Sequence, residues 1–277
     1  MTETQLPTPS MVGSMYDRFN DLFTQHLGDN LHLGYWDDDT DDTPISKATD
    51  RITDMVAARL APLPGAEILD VGCGNGRPSV RIATEYRVHV TGITVSPHQL
   101  RVAHARPEAG PGPGHAAFQL ADAMALPFPE TRFDGAYAIE SLLHMSDRAR
   151  AISEIARTLR PGAPLVALDF YQDGDLPHED ADIMDRLHQA FELPPLARVG
   201  EYETFMAKAR LDVVDCEDIT GHVRRSHRLL ADAMRRIASD ADFDTEIRDR
   251  IVAYAELNEN IGIHPQVHYT LITARRR

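Results

Sequence analysis

Residues 67–76 read E-I-L-D-V-G-C-G-N-G, and this stretch constrains the fold more than any other part of the chain. The apolar run Ile68, Leu69 and Val71 has the composition of a parallel strand buried on both faces. Glycines at alternate positions, Gly72, Gly74 and Gly76, let the backbone turn tightly and approach a ligand with no Cβ in the way. A helical stretch follows with Pro78 in its first turn, where a missing N–H leaves no bond unmade. Strand, glycine turn and helix N-terminus together form a nucleotide-binding corner. The spacing is G-x-G-x-G, not the G-x-G-x-x-G that surrounds a dinucleotide pyrophosphate. Asp70, just before the turn, would repel a pyrophosphate and suits a ligand with a cationic amino-acid end, such as S-adenosylmethionine. A glycine-rich turn also occurs where nothing binds, so the rest of the chain has to decide.

The 277 residues suffice for one large α/β domain or two small ones, and 43% hydrophobic residues suit an ordinary globular core. A formal net charge of -15 argues against nucleic acid and against anionic membrane surfaces as partners. Cys73 sits inside the glycine turn, far in sequence from Cys216, which argues against a structural disulfide and fits a reducing, cytoplasmic location. No apolar run approaches the roughly 20 residues of a membrane span, and the opening M-T-E-T-Q-L-P-T-P-S lacks a secretion pattern. No histidine or cysteine cluster has zinc-ligand spacing, so no metal is expected. The acidic run over residues 37–42 reads as a solvated loop, since a calcium loop would need its inserted glycine and distal glutamate.

Along the chain, residues 1–13 read as a tail. Met15, Phe19, Leu22, Phe23 and Leu27 recur at helical spacing, and Thr43-Pro44 opens a second helix through Ile52, Met55, Val56 and Leu60. After the first strand and its helix, strands are expected over 88–93, 118–120, 133–139 and 165–170, with a helix over 148–159 and a loop at the P-E-A-G-P-G-P-G of 107–114. This alternation implies a parallel, doubly wound sheet. Residues 171–200 break the rhythm and are only locally helical (Ile183, Leu187, Phe191). A strand at 211–219, helical periodicity over 223–258 and a last strand at 267–274 complete the chain.

In such sheets ligands bind beyond the carboxyl ends of the strands. After the second strand stands G-I-T-V-S-P-H-Q, where Thr94 occupies the position at which nucleotide-binding folds usually carry a ribose-binding acid, with Ser96 and Gln99 close by. After the third stands A-D-A-M: Asp122 suits an exocyclic amine and Met124 a ring face. After the fourth comes E-S-L-L-H-M, with Glu140 and His144, and after the fifth Asp169 and Phe170.

These motifs, in this order, with T-L-R-P-G ahead of the fifth strand, resemble those of class I S-adenosylmethionine-dependent methyltransferases over about residues 15–277. N-L-H-L-G-Y-W, D-T-P-I-S-K-A-T-D-R-I-T-D and E-S-L-L-H-M-S-D are similar to segments of bacterial natural-product tailoring members, both sugar O-methyltransferases and methyltransferase-like cyclases; G-I-T-V-S also resembles a motif of cyclopropane fatty-acid synthases. The resemblance implies a Rossmann-like α/β fold with a seven-stranded, mostly parallel sheet and helical cap or lid insertions. It implies one domain: an N-terminal cap (1–64), a cofactor-binding core (65–170), a substrate cap (171–200 and 221–265) and closing strands (211–220 and 266–277). It further implies S-adenosyl-L-methionine as cofactor, S-adenosyl-L-homocysteine as product, and a monomer or homodimer. Gly72 and Gly74 would face the methionine part, with Asp70 beside them; Thr94 and Gln99 would hold the ribose; Asp122, Ala123 and Met124 would frame the adenine. Glu140 would lie near the amino-acid end, and Tyr16 and His32 would close over the cofactor from the cap.

Methyl transfer is an in-line displacement that needs alignment and exclusion of water, and a hydroxyl acceptor gains from a general base. His144 is the expected base, with Asp169 orienting it or binding the acceptor hydroxyl. Related sugar methyltransferases carry two adjacent histidines here, and this chain has Leu143 at the first. A structural or substrate-packing role for His144 therefore stands beside the catalytic one. Phe191, Leu193, Leu196, Phe243 and Tyr254 in the caps suit an apolar, ring-bearing small molecule, or plain helix packing. The expected reaction is O-methylation of a hydroxyl on a bacterial secondary metabolite or its sugar. The alternatives are C-methylation of a polyketide, quinone or prenyl acceptor, and cyclisation on a cofactor-binding scaffold without methyl transfer.

Overall fold

The computed structural model describes residues 6–26, 29–106, 114–174, 184–186, 188, 191–240 and 245–277. Seven strands form one sheet in the order β3-β2-β1-β4-β5-β7-β6. They are β1 (Glu67–Val71), β2 (His89–Thr94), β3 (His115–Leu120), β4 (Gly135–Ile139), β5 (Pro164–Gln172), β6 (Leu211–Asp218) and β7 (Val267–Arg276). The first five pair in parallel. β7 runs antiparallel between β5 and β6, its pairing with β5 continuous from Pro164↔Arg275 to Gln172↔Val267.

The helices are α1 (Pro9–His26), α2 (Ile45–Leu60), α3 (Arg77–Tyr86), α4 (Pro97–His104), α5 (Arg148–Thr158), α6 (Val199–Lys208), α7 (Thr220–Asp240) and α8 (Thr245–Ile263). Alternation within the strands divides the core. Leu69, Val71, Ala136 and Leu165 pack with Ile152 and Ile155 of α5 and Tyr202 and Met206 of α6. Ile68, Val90, Tyr137 and Val166 face the other way, onto Ile52 and Val56 of α2, Ile82 of α3 and Val223 of α7. Burial on both faces explains the apolar run of β4 and the Ile68, Leu69 and Val71 of β1, which Asp70 interrupts.

Two differences from the sequence reading matter. α6 was not expected: only Tyr202 and Met206 of its ten residues are fully buried, one turn apart, too short a stripe to stand out. The periodic stretch 223–258 is two helices, α7 and α8, packed against each other. Residues 107–113 of the expected loop at 107–114, with Ile183, Leu187 and Phe243, lie outside the described residues.

Strand order reverses between β1 and β4, so the loops after these neighbouring strands diverge and leave a crevice at their carboxyl ends. The N-terminal segment is fastened over that crevice. Ser96 caps α4 by accepting from Gln99 N at 3.0 Å, and its hydroxyl donates to the Asp17 carboxylate of α1. Asp17 also accepts from His98 N at 3.2 Å.

Candidate active site

Two clefts meet above the sheet. The first, about 820 Å³ of atom-free space, runs along the ends of β1, β2 and β4 under the N-terminal segment. The second, about 810 Å³, lies between that segment, the end of β5 and helices α7 and α8. Among the described residues they share Tyr16, Leu31, Glu140 and His144.

The glycine turn forms the floor of the first cleft. Gly72, Gly74 and Gly76 take φ of +79°, +51° and +75°, where an L side chain is strained. A Cβ on Gly72 would lie 2.4 Å from the Ser141 Cβ. That closeness lets Ser141 Oγ donate to Val71 O at 2.6 Å and tie the end of β4 to β1.

The expected cofactor residues fall into two groups. Tyr16, His32, Asp70, Gly72, Gly74, Thr94, Gln99, Ala123 and Glu140 all line the first cleft. Asp122 and Met124 do not. The Asp122 carboxylate accepts from Met124 N at 2.8 Å and caps the short 3-10 turn Ala123–Ala125, while the Met124 sulfur accepts from Ser146. Asp70 is 2% exposed and accepts from Ser79 and from Tyr137 Oη at 2.7 Å. Burial raises it to about 6, against those two bonds, which favour its ionised form. Thr94 Oγ1 donates to Gln99 Oε1 at 2.7 Å, and Gln99 Nε2 has no partner among the described residues. His32 bonds the Leu33 carbonyl through Nδ1 at 2.9 Å, and burial lowers it to about 4.

Residues that sequence reasoning missed complete this cleft. Asn30 and Asn75 line it at 1% and 2% exposure. Asn30 Nδ2 donates to Thr49 Oγ1 and Asn75 Nδ2 to Thr24 Oγ1, so each Oδ1 is left as a buried acceptor without a donor among the described residues. A ligand ammonium is the natural complement of such acceptors. Both stood inside quoted motifs, Asn75 in the glycine turn and Asn30 at the head of N-L-H-L-G-Y-W, but neither spacing assigned them a role.

Glu140 sits in left-handed backbone at φ +47°, rare for a non-glycine residue. Its Oε1 accepts from Leu33 N at 2.7 Å and from Tyr269 Oη at 2.6 Å. Burial raises its carboxyl to about 7 despite both bonds. His144 ends the 3-10 turn Leu142–His144. Its Nδ1 faces the Glu192 carbonyl at 3.4 Å, which can only accept, so Nδ1 carries the proton. The Nε2 lone pair then accepts from Tyr16 Oη at 2.9 Å. Removal from bulk water pushes the ring down to about 4, so it is neutral near pH 7.

Asp169 is 1% exposed and lines neither cleft. Its carboxylate accepts from Leu143 N at 2.8 Å and Phe170 N at 3.0 Å, with no bond to His144. It pins the turn that carries His144. The expectation that it orients the imidazole directly, or meets the acceptor, gives way to this role through the backbone.

A methyltransferase-domain family matches residues 68–162. An O-methyltransferase of Pyrenophora dematioidea is 44% identical over 225 residues, covering 81% of this chain and 84% of that protein. The 27-O-demethylrifamycin SV methyltransferase of Amycolatopsis mediterranei (strain S699) is 35% identical over 271 residues, covering 98% of both. Among solved structures, the [4+2]-cyclase SpnF superposes with a TM-score of 0.81 at 29% identity, covering 99% of this chain and 97% of that one. The chain belongs to the class I methyltransferase family and is an S-adenosylmethionine-dependent methyltransferase.

Two predictions follow from this geometry. Gly72→Ala forces a Cβ against Ser141 in strained backbone, so cofactor affinity and stability should both fall, stability by about 1–3 kcal/mol; calorimetric titration and chemical denaturation read the two. Glu140 titrates near 7 folded against 4.5 unfolded, so between those values the folded state binds more protons and this group's contribution to stability is lost as pH rises. Glu140→Gln should therefore gain on the wild type from pH 5 to pH 8 in denaturant midpoints, and a constant gap would refute the assignment.

Proposed function

We propose that this methyltransferase O-methylates a hydroxyl of a largely apolar small-molecule natural product seated in the second cleft. One observation carries the reading: a polar, glycine-floored cleft and an apolar cleft meet at Tyr16, Glu140 and His144. S-adenosylmethionine would supply a methyl carbon on a sulfonium sulfur: a nucleophile attacks that carbon in line, the C–S bond breaks, and the sulfur leaves with the bonding pair as S-adenosylhomocysteine. The residues of the first cleft fit that cofactor. Gly72 and Gly74 border its methionine part, while Glu140 and the unpaired Oδ1 atoms of Asn30 and Asn75 receive its ammonium. Gln99 Nε2 and Thr94 serve the ribose, and Ala123 the adenine; Asp122 and Met124 hold the turn under Ala123.

At the junction, an acceptor hydroxyl competes with Tyr16 for the Nε2 lone pair of His144, which takes the acceptor's proton as the new C–O bond forms. Nδ1–H, directed at the Glu192 carbonyl, holds the ring in the tautomer this requires. Asp169 acts as a positioning residue by fixing the turn. The apolar walls exclude water that would compete for the methyl group. The names of the O-methyltransferases to which the chain is similar support oxygen as the nucleophile. A second reading, cyclisation without methyl transfer, draws on the 29% identity to a [4+2]-cyclase.

Incubation with methyl-labelled S-adenosylmethionine and 27-O-demethylrifamycin SV, then with extracts of secondary-metabolite producers, separates the readings. A labelled methyl ether is the expected product; a labelled C-methyl group, or measurable cofactor binding with no label transferred, would replace it with C-methylation or cyclisation. His144→Gln should lower turnover roughly a hundredfold with cofactor affinity little changed, and near-normal turnover would remove His144 as the base. Because the ring is held at about 4, its protonation should place the acid limb of kcat/KM near that value, leaving the rate level from pH 5.5 to 7.5 as far as this group is concerned.

A further inference from the structure

Among the described residues, the second cleft is apolar except at two places. One is the junction with the first cleft, where Tyr16, Glu140 and His144 stand; the other is formed by His227 of α7 and Asn258 of α8. Both are almost fully removed from solvent, at 5% and 8% exposure. His227 Nδ1 and Asn258 Oδ1 are 2.7 Å apart. The amide oxygen can only accept, so Nδ1 carries the proton and Nε2 keeps its lone pair. Nε2 has no hydrogen bond among the described residues, and Asn258 Nδ2 is buried without a partner. The pair thus presents one unused acceptor and one unused donor. Exchanging the amide's O and N would reverse the two roles and still leave one of each.

The seat is built for this ring. Gly262 of α8 lies against it, and a Cβ there would approach His227 Cβ to 2.5 Å and Cγ to 2.6 Å. Phe170 packs edge-on at 5.8 Å between ring centres. Close backbone and an aromatic edge together restrict the imidazole. Buried polar groups are nearly always satisfied, so a donor and acceptor left open in an apolar wall point to a ligand that supplies their partners.

We propose that His227 and Asn258 form a specificity site that binds a second hydroxyl of the acceptor, remote from the one that is methylated. Nε2 points away from Asn258, whose amide holds the ring in the tautomer that leaves this lone pair open; a hydroxyl has the proton to donate there, and a carbonyl or ether does not. The substrate class is accordingly an apolar molecule oxygenated at two separated positions. This rests on the reading of the second cleft as the acceptor site.

The test uses the full chain with S-adenosylhomocysteine bound and two probe series, 1-alkanols and α,ω-alkanediols of six to twelve carbons, with affinities from calorimetry. In a wholly apolar cleft the second hydroxyl weakens binding at every length. A polar seat at the far end should close or reverse that gap within one window of chain length. Asn258→Leu and His227→Phe should each restore the gap, a shift of about threefold to tenfold in the diol-to-alkanol ratio. In the wild type alone, the Nε2 nitrogen-15 resonance of His227 should move on adding the favoured diol, which answers the question even if a variant fails to fold. If alkanols bind but the gap is the same at all lengths, or unchanged in both variants, or Nε2 does not move, this site is wrong and the cleft assignment stands. If neither series binds, the acceptor reading of the cleft falls, and this inference with it.

Discussion

The arrangement of the site depends on one buried carboxylate. Glu140 leaves β4 in strained backbone and accepts at once from Leu33 N of the N-terminal segment and Tyr269 Oη of β7. These partners come from opposite ends of the chain, and the bonds close the cap onto the sheet at the point where both clefts meet. A carboxylate so buried is costly to ionise in the absence of a cation, which is why it titrates near neutrality. A ligand carrying positive charge in the first cleft offsets that cost. Under the proposed placement of the cofactor's ammonium, the strained backbone at Glu140 holds the carboxylate where that charge arrives.

The two clefts divide the work by polarity. The first combines strained glycines, unpaired amide oxygens and a carboxylate, and selects a charged, polar ligand. The second is walled by leucines, phenylalanines and isoleucine, and selects by shape. Between them, Tyr16 and His144 form a neutral pair whose basic nitrogen is held ready by a bond on its far side. A neutral imidazole suits a cleft that must admit an apolar molecule, because an imidazolium there would have to be desolvated each time the site closed.

How much of this could be read from the sequence depended on distance along the chain. The glycine turn, and Thr94 with Gln99, were legible because their geometry is local: five residues on one strand–helix turn bring the two side chains together. Glu140 and His144 were legible as the residues just past β4, but their partners were not: Tyr269 lies 129 residues from Glu140, and Tyr16 lies 128 from His144. Asp122 and Asp169 show the opposite failure. Each stands at the expected strand end, yet each carboxylate is spent on a nearby backbone N–H. Position after a strand places a residue near the crevice, while competition from local backbone donors decides whether its side chain reaches the ligand.

The same division explains how one scaffold can keep its cofactor chemistry while its acceptor changes. The first cleft is built mainly from strand ends whose backbone is fixed by the parallel ladder on both sides. The second draws its walls from α1, α7, α8 and the segment after β5, which pack on the sheet through side chains rather than ladder bonds. Substitutions among those side chains reshape the apolar cleft without disturbing the glycine turn or the Glu140 tie. His144 lies on the boundary, on a turn anchored by Asp169 from β5, so its imidazole, the proposed base, keeps its place relative to the first cleft whatever the outer walls become. With the second cleft as the proposed acceptor site, acceptor identity falls to helix faces, where polar exceptions such as His227 and Asn258 carry the most information because the surrounding surface is otherwise indifferent to orientation.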